Sequence, residues 1–449
     1  MNKCSGETSP VLRNGNTVET KLLRIAGKAR NEPKFKFTSL FHLLNEELLR
    51  ECFKRLRKEA APGIDQITKE MYAKELETNL KRLVEGLHGM TYIPQSVRRV
   101  YIPKQGSNKK RPLGIPVLED KIVQAGLKQI LESIYEEDFI KDSYGFRPGR
   151  GCHEALRQLS RTVEKETVSY VVEADIKGFF DNVSHEWMMK FLAHRIADKR
   201  VLRMIKRFLK AGVMEAGVVY KGDKGTPQGG TISPILANIY LHYVLDLWFE
   251  KVYRKRCEGY ARIIRYCDDF IVCFKQKADA LRFKEELIER LAKFGLEVVP
   301  SKTKVIAFGR FAIENAKRES KKPETFDFLG FTHYCSKTRD GKYFRMKRKT
   351  SKKKFNAKLK LFKEWLKSVR TLPTKILMDK VSVKLQGHYA YYGVTDNSDA
   401  ISRFAYEVRK ILHKWLNRRG KKKCLDWSKF CLLLTRYPLP KPRIMVCLF

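Results

Sequence analysis

The order of apolar and polar residues along the chain predicts a mixture of helices and strands. Between residues 41 and 56, apolar side chains recur every three or four positions, and the APGID stretch at 61–65 ends this helical pattern with Pro and Gly. Segments 232–248 and 279–294 have the same helical character. The apolar face of the first helix consists of Phe41, Leu44, Leu48, Cys52 and Leu56.

Runs rich in β-branched and aromatic residues predict strands between these helices. VRRVYIPK, QGSNK and KRPLGIP, within residues 97–116, indicate a strand, a turn and a second strand. SYVVEADI at 169–176 and IIRYCDDFIVCF at 263–274 are also rich in strand formers. Strands that alternate with helices in this way predict an α/β fold.

From about residue 345 the pattern changes to three successive helical stripes, which predict a three-helix bundle. Residues 1–38 show little periodicity and predict a loosely ordered basic arm, whereas residues 420–449 predict a short extended tail. The stripes are Phe355, Leu359, Phe362, Leu366 and Val369; Leu377, Val381, Leu385 and Tyr389; and Ile401, Phe404, Val408, Leu412 and Trp415.

The charge of the chain indicates a nucleic-acid partner. Its 449 residues include 92 Lys plus Arg against 50 Asp plus Glu, a net charge of +42. Polyphosphate is the natural counter-surface, because each neutralised phosphate releases a condensed counterion. Residues 345–370 hold twelve Lys or Arg and one acid, so this basic segment would repel itself without an anionic partner. A structural RNA binder, such as a ribosomal protein, is compatible with the same charge.

The cysteines and the hydropathy pattern exclude several classes of protein. The ten cysteines are scattered singly with no C-x-x-C pair, which argues against a zinc ribbon and a disulfide framework. No window approaches about 18 consecutive apolar residues, and the first residues lack the apolar stretch of a secretory signal. We therefore expect a cytoplasmic protein with reduced cysteines and no membrane segment.

Two adjacent carboxylates, Asp268 and Asp269, interrupt apolar residues in a chain that is otherwise strongly basic. On one straight strand they would face opposite sides of the sheet, so the short apolar runs that flank them favour the tip of a β-hairpin. A solvated Asp-Asp turn is equally compatible with this stretch alone.

A third carboxylate, Asp175, lies near the end of the apolar strand in YVVEADIKGFFDNV, before a predicted helix N-cap at Ser184. If the two strand regions were neighbours, three carboxylates would come together and would require hard divalent cations. Two Mg²⁺ ions about 3.5 to 4 Å apart are the usual arrangement for in-line phosphoryl transfer. Glu173 and Asp181 are interpreted as solvated or capping carboxylates.

Motifs in a fixed order carry a resemblance to a known family. Three of them resemble the palm motifs of reverse transcriptases: DIKGFFD (175–181), TPQGGTISP (226–234) and YCDD (266–269). Four more make the resemblance one to the group II intron encoded reverse transcriptase and maturase family: GIP (114–116), SYGFRPGR (143–150), FLGF (328–331) and QGHYAYYG (386–393). The resemblance covers residues 41–444.

The resemblance implies an α/β right-hand polymerase, with fingers and a palm built on an antiparallel sheet, followed by an α-helical thumb. The implied domains are a basic N-terminal arm (1–38), an N-terminal extension with fingers (39–168), a palm with some fingers elements (169–335), a thumb or maturase domain (336–419) and a basic C-terminal tail (420–449).

The resemblance also implies roles for single residues. The catalytic residues and ligands of two Mg²⁺ ions, which Mn²⁺ could replace, would be Asp175, Asp268 and Asp269, with the carbonyl of Ile176 a further ligand. The dNTP would contact Lys104, Arg111, Ile176, Phe180 and Gln228. The primer and template would contact Gly229, Gly230, Lys302, Leu329 and Gly330.

For several of these residues a physical argument supports the implied role, and a purely structural explanation competes with it. Phe180 would stack under the sugar and exclude a 2′-hydroxyl, while Lys104 and Arg111 would hold the triphosphate. The glycines would permit close backbone approach. The alternatives are that Phe180 is simply core, that the two cations lie on a solvated hairpin edge, and that the glycines only shape a turn before a helix that begins near Ser233.

Two features depart from the family pattern. Cys267 occupies the position after Tyr266, where the family usually has alanine, and it could slow or re-tune nucleotide addition. The sequence contains no Cys/His-rich module, so we expect an endonuclease-lacking member that primes from nascent strands at replication forks.

The resemblance implies a bacterial RNA-directed DNA polymerase that also binds its intron RNA as a maturase. Its partners would be intron RNA, an RNA template, a DNA primer and target, and dNTPs, with no membrane; it would be cytoplasmic and nucleoid-associated when on target DNA. One alternative is a host-domesticated relative in DNA repair or antiphage defence, at which Cys267 hints. Another is a splicing-only RNA-binding maturase, against which the three aspartates argue.

Overall fold

The computed structural model describes residues 17–103, 110–215, 218–220, 222–226, 229–419 and 425–448. They form the predicted α/β mixture. The α-helices are α1 (Val18–Asn31), α2 (Glu46–Arg55), α3 (Lys69–Ala73), α4 (Leu76–His88), α5 (Leu118–Tyr135), α6 (Cys152–Lys165), α7 (Phe179–Asn182), α8 (His185–Leu192), α9 (Lys199–Lys210), α10 (Ser233–Leu241), α11 (Lys277–Ala292), α12 (Ala312–Arg318), α13 (Lys352–Val369), α14 (Thr374–Tyr392), α15 (Ser398–Leu416) and α16 (Trp427–Arg436).

Within the described residues, the strands build three separate sheets. They are β1 (Val97–Pro103), β2 (Lys110–Ile115), β3 (Tyr170–Ala174), β4 (Val213–Glu215), β5 (Val218–Tyr220), β6 (Ala261–Tyr266), β7 (Asp269–Phe274), β8 (Lys304–Ala307), β9 (Thr325–Phe328), β10 (Phe331–Lys337) and β11 (Phe344–Thr350). The strand orders are β2-β1-β4-β5, β6-β7-β3-β8 and β11-β10-β9.

The chain forms two compact units, each of which contains separate stretches of sequence. The first comprises the described residues of 1–101, 112–140 and 178–245. The second comprises the described residues of 102–111, 141–177 and 246–449.

Helix α5 is the central element of the first unit, because it is buried along most of its length and packs against both α1 and α2. The predicted first helix begins later than its apolar stripe suggests. Residues Phe41–Leu43 form a short 3-10 turn, and α2 starts after Asn45, whose side chain accepts a hydrogen bond from the Leu48 N–H at 3.0 Å. An Asn in this position supplies an acceptor for an otherwise unpaired helix N–H, so it sets the start of the helix.

The prediction of a loosely ordered arm is wrong for residues 18–31, which form α1. Helix α1 has only a short run of apolar residues at helical spacing. Packing against α5 stabilises the helix in spite of this short run. The guanidinium of Arg195 donates to the carbonyl of Ala29 at 3.0 Å and to the carbonyl of Glu32 at 3.0 Å, which ties the end of α1 to the unit. Tertiary contacts therefore stabilise a helix that local periodicity hardly indicates.

In the second unit, β3 is a central strand of an entirely antiparallel sheet. It pairs with β7 on one side and with β8 on the other, and Val171 and Val172 on β3 are fully buried. Helix α11 packs on β3, β7 and β8, and α6 packs on β6 and β11. The second sheet of this unit, β11-β10-β9, joins the same hydrophobic core as the C-terminal helices.

The predicted three-helix bundle is confirmed by α13, α14 and α15, with α15 packed on both of the others. The predicted extended tail is wrong for residues 427–436, which form α16. Asp426 caps this helix by accepting from the Lys429 N–H at 2.8 Å, and the ring of Phe430 lies 5.2 Å from that of His413. Burial of Phe430 against the bundle stabilises α16, whereas the Pro-rich stretch after it forms neither helix nor strand.

No helix within the described part of the chain is long and apolar enough to cross a membrane.

A buried acid at the start of α5 gives the first unit a testable pH dependence. Asp120 is 1% exposed and accepts hydrogen bonds from the Tyr92 hydroxyl and, at 3.1 Å, from the Gln95 N–H. Burial raises the pKa of this carboxyl from 3.8 to about 7. Between those values the folded state holds a proton that the unfolded chain has lost, so the contribution of Asp120 to stability falls as pH rises through this window.

We expect the native protein to lose stability relative to Asp120→Asn as pH rises from about 4 to about 7, because Asn has no proton to lose. The measurement is the apparent free energy of unfolding in urea for both proteins at several pH values. A difference that stays constant over this range would contradict the prediction.

Candidate active site

The acidic pair lies at the tip of a β-hairpin, as the sequence predicts. Strand β6 ends at Tyr266 and β7 begins at Asp269, and these two residues are paired across the hairpin. Cys267 and Asp268 therefore form a two-residue connection. Cys267 adopts a φ of 58°, a left-handed conformation that is uncommon outside glycine and allows the tight reversal.

The register of the central sheet brings the third carboxylate beside this pair. Ala174 on β3 pairs with Phe270 on β7 in antiparallel orientation. Extension of the register by one residue sets Asp175 opposite Asp269, and directly opposed residues of an antiparallel pair project from the same face. The predicted adjacency of the two strand regions is thus confirmed.

The electrostatics of this cluster indicate excess negative charge. The side chain of Asp269 is exposed at the start of β7, yet its pKa is raised to about 6, first by desolvation from the residues packed around it and then by the neighbouring charges of Asp268 and Asp175. Two cations, Lys354 and Lys302, act in the opposite direction. The ammonium group of Lys302 also donates a hydrogen bond to the Asp175 carboxylate. Lysine side chains therefore supply the counter-charge for the aspartates.

The donor chemistry fits a hard divalent cation, although the described residues contain no group of three or more His, Cys, Asp or Glu already arranged to hold one. The ion pair with Lys302 is a physical reason why no such group is found among the described residues, because the Asp175 carboxylate already contacts an ammonium group. The charges of Asp268 and Asp175 contribute to the raised pKa of Asp269 after desolvation, so the carboxylates of the cluster repel one another. Asp175, Asp268 and Asp269 remain the predicted ligands.

Ile176, predicted to offer its carbonyl, is buried and forms an isolated bridge with Val298. The neighbouring carbonyl of Asp175 accepts the Val299 N–H at 2.8 Å. Glu173 departs from its interpretation as a solvated carboxylate, since it is half-buried and its pKa is raised to about 7 by burial, by Asp327 and by Asp175. Asp181 is exposed, as expected.

Leu329 and Gly330 form the two-residue turn between β9 and β10. Their φ values of 48° and 82° match a type I′ hairpin turn, which needs positive φ at both positions. The Tyr391 hydroxyl donates to the Leu329 carbonyl at 2.9 Å. Helix α14 therefore anchors this turn through the QGHYAYYG motif, a contact that sequence reasoning missed.

Phe180 belongs to the first unit, in the short helix α7. It is half-buried, and its ring lies 5.3 Å from that of Phe179 in an edge-to-face arrangement. Its carbonyl accepts the Thr226 N–H at 2.8 Å, and the Val183 carbonyl accepts the Gly225 N–H at 2.8 Å. These bonds tie the start of the glycine-containing loop to the α7 region.

Gly229 and Gly230, the predicted primer and template contacts, lie in the loop before α10. Gly229 has a φ of 112°, and a Cβ at this position would lie 2.6 Å from the carbonyl oxygen of Gly114 on β2. Only glycine permits this approach. Gly230 is buried, and α10 begins at Ser233 as expected. The predicted N-cap is also confirmed, because the Ser184 hydroxyl accepts the Trp187 N–H at 3.4 Å.

Of the other residues predicted to contact the dNTP, only Arg111 lies within the described part of the chain. Arg111 is exposed on β2. Lys104 and Gln228 lie outside the described residues. Lys354, on the first helix of the C-terminal bundle, was not predicted as a site residue. The many lysines of segment 345–370 are a sequence signal for a basic surface, but they do not distinguish Lys354 from its neighbours.

Comparison with known proteins gives the same picture as the motifs. The profile of the reverse transcriptase (RNA-dependent DNA polymerase) family matches residues 102–333. The group II intron-encoded protein LtrA of Lactococcus lactis subsp. cremoris is 40% identical over 231 residues, which are 50% of this chain and 38% of LtrA. Protein YkfC of Escherichia coli (strain K12) is 36% identical over 296 residues, which are 59% of this chain and 77% of YkfC.

A more distant similarity is to the mitochondrial nuclear intron maturase 3 of Arabidopsis thaliana, which is 30% identical over 130 residues, 28% of this chain and 18% of that protein. The match to LtrA covers well under two thirds of the length of that relative.

The contact between Lys302 and Asp175 predicts competition with a divalent ion. Lys302→Ala removes both a partner of the carboxylate and a repulsive charge, so we expect Mn²⁺ to bind about 2- to 5-fold more tightly, which corresponds to the modest energy of a partly exposed ion pair. The measurement is Mn²⁺ titration followed by electron paramagnetic resonance.

Lys321→Ala is the matched control, because Lys321 is also an exposed lysine in an ion pair, with Glu319. It should leave Mn²⁺ affinity unchanged. Weaker Mn²⁺ binding by Lys302→Ala would show that Lys302 supports the metal site instead of competing with it.

Proposed function

We propose that this chain, which belongs to the group II intron reverse transcriptase and maturase family, is an RNA-directed DNA polymerase that also binds its intron RNA as a maturase. The register that sets Asp175 opposite Asp269, beside the turn that carries Asp268, is the observation that carries the polymerase activity. The domains proposed are those of a right-hand polymerase, with fingers at 39–168, palm at 169–335 and thumb at 336–419.

The proposed reaction is attack of a primer 3′-hydroxyl on the α-phosphate of a dNTP, which forms the new phosphodiester bond and releases pyrophosphate. Two Mg²⁺ ions, when bound, would lower the pKa of the attacking hydroxyl and stabilise the leaving oxygen. Asp175, Asp268 and Asp269 would hold these ions. The repulsion that Asp268 and Asp175 exert on Asp269 supports this proposal, because bound cations would relieve it.

Substrate selection is proposed to depend on contacts with the sugar, the triphosphate and the base of the incoming nucleotide. Phe180 would lie under the sugar of the incoming nucleotide and exclude a 2′-hydroxyl, while Lys104 and Arg111 would hold its triphosphate and Gln228 would lie against the base. The close approach of Gly229 to the β2 backbone supports a role for the glycine loop in shaping the template side.

At the primer side, the Leu329–Gly330 turn and Lys302 are the proposed contacts. The Tyr391 hydroxyl restrains this turn by its hydrogen bond to the Leu329 carbonyl. A restrained turn suits the positioning of a primer terminus, because small misplacement of reacting atoms greatly slows a reaction.

Maturase function is proposed for the basic thumb. Helix α13 carries seven lysines and a single acid, Glu364, and most of these lysines project from the bundle core. The partners would be the intron RNA, an RNA template, a DNA primer and target, and dNTPs, in a bacterial cytoplasm. The name of LtrA, a group II intron-encoded protein, supports the intron RNA as the partner.

The polymerase activity predicts metal-dependent extension of a DNA primer on an RNA template. We expect the native protein to make cDNA with Mg²⁺ and dNTPs, and the double variant Asp268→Ala, Asp269→Ala to lose at least about 1,000-fold in rate, because loss of charge-stabilising groups from an active site costs several kcal/mol of barrier. A matched control, Asp340→Ala plus Glu319→Ala, removes two exposed acids elsewhere and should keep the native rate. A native protein that is folded, binds RNA and makes no cDNA would favour the splicing-only alternative.

The role of Phe180 predicts a change in sugar selection. We expect Phe180→Ala to raise ribonucleotide incorporation relative to dNTP by at least about 10-fold while dNTP use stays within a few-fold of native, because a void replaces the ring that blocks the 2′-hydroxyl. Primer extension with each nucleotide gives the ratio. Phe179→Leu, a change at the buried neighbour, is the control for general disturbance of α7. Unchanged selectivity in Phe180→Ala would sink the assignment.

A further inference from the structure

A fully buried ion pair lies directly behind the acidic hairpin turn. Arg265 on β6 and Asp246 both have fully buried side chains, in the second unit of the chain. The Nε of Arg265 donates to one carboxylate oxygen of Asp246 at 2.7 Å, and Nη2 donates to the other at 2.5 Å. This two-point geometry is the strongest that an arginine and a carboxylate can adopt.

The remaining terminal nitrogen of the same guanidinium reaches the turn itself. Nη1 of Arg265 donates to the carbonyl of Cys267 at 3.0 Å. That carbonyl belongs to the peptide unit that joins Cys267 to Asp268. Because a peptide unit is planar, a bond to its oxygen fixes the orientation of the Asp268 N–H as well.

The SYGFRPGR segment lies against the same peptide region from another direction. A Cβ on Gly145 would lie 2.4 Å from the Cys267 nitrogen and 2.9 Å from the Tyr266 carbonyl carbon. This distance excludes any side chain unless the turn shifts. The segment is held in place by backbone bonds, since the Arg265 N–H donates to the Asp142 carbonyl at 2.9 Å and the Tyr144 N–H donates to the Arg265 carbonyl at 2.8 Å.

These contacts have an energetic rationale only if the turn must be held in one conformation. A buried ion pair often stabilises a protein no more than apolar residues of the same size would. A residue other than glycine in a left-handed conformation, as Cys267 is, persists only where its surroundings enforce it. The use of one guanidinium for both Asp246 and the Cys267 carbonyl joins the two features.

We propose that Arg265, Asp246 and Gly145 are positioning residues, which hold the Cys267–Asp268 peptide so that Asp268 and Asp269 present their carboxylates to a divalent cation. The inference rests on the proposed polymerase function for the identity of the ligand. A purely structural role for the ion pair makes a different prediction, because it would affect stability and leave the affinity for the cation unchanged.

The test compares two variants that disturb the turn from different directions. Arg265→Lys keeps the positive charge opposite Asp246 but lacks the planar fork that reaches both partners. Gly145→Ala adds one carbon against the Cys267 nitrogen. In both variants we expect the Mn²⁺ dissociation constant, measured by electron paramagnetic resonance on the full chain, to rise at least about 5-fold. The Mg²⁺ concentration for half-maximal cDNA synthesis should rise similarly, with the KM for dNTP little changed.

Arg195→Lys is the matched control for loss of a buried arginine. Arg195 is also buried and paired with a carboxylate, that of Asp138 at 3.0 Å, but it belongs to the first unit. We expect this variant to melt at a lower temperature than native and to bind Mn²⁺ with native affinity. Asp269→Ala identifies the Mn²⁺ signal that belongs to the acidic cluster.

Each outcome decides the inference. Weaker Mn²⁺ binding in Arg265→Lys and Gly145→Ala, with native affinity in Arg195→Lys, supports it. Native Mn²⁺ affinity in a folded Arg265→Lys or Gly145→Ala overturns it, as does a native protein whose Mn²⁺ binding does not depend on Asp269. If Arg265→Lys does not fold, Gly145→Ala decides alone. If the native protein binds Mn²⁺ but makes no cDNA, the proposed polymerase activity is refuted. The positioning role is then decided by the Mn²⁺ affinities of the variants alone.

Discussion

The antiparallel register between β3 and β7 is the constraint on which the acidic cluster depends. Side chains alternate between the two faces of a strand, so a slip of one residue would turn Asp175 away from Asp269. Val171 and Val172 on β3 are consecutive and both fully buried, and so are Ile271 and Val272 on β7, so both faces of the sheet are covered. Packing on both faces holds the two strands in this register, and the register places the carboxylates.

The cluster has to hold negative charge within a chain of net charge +42, and lysines balance it in this structure. Lys302 contacts Asp175 directly, while Lys354 acts on Asp269 from α13. The same lysines therefore link the acidic cluster to the basic surface that we propose for RNA.

In the second unit, one hydrophobic core extends from α6 through the sheet β11-β10-β9 to the C-terminal helices. It explains how α14 anchors the Leu329–Gly330 turn, since Tyr392 lies within this core and Tyr391 packs against it, both beside Phe331. The two turns for which we propose functional roles are thus held from behind by packed elements, at Leu329 by a tyrosine hydroxyl and at Cys267 by a buried guanidinium.

The sequence by itself determined the features that depend on neighbours along the chain. The helical stripes predicted the three-helix bundle, and the short apolar runs on either side of two aspartates predicted the hairpin tip. Motif order gave the family. The tertiary structure alone decided that α1 and α16 are helices, that Glu173 is half-buried, and that Arg265 joins Asp246 to the Cys267 carbonyl. Lys302 reaches Asp175 across 127 positions of sequence. Such contacts follow from packing between distant segments, which no local pattern of residues encodes.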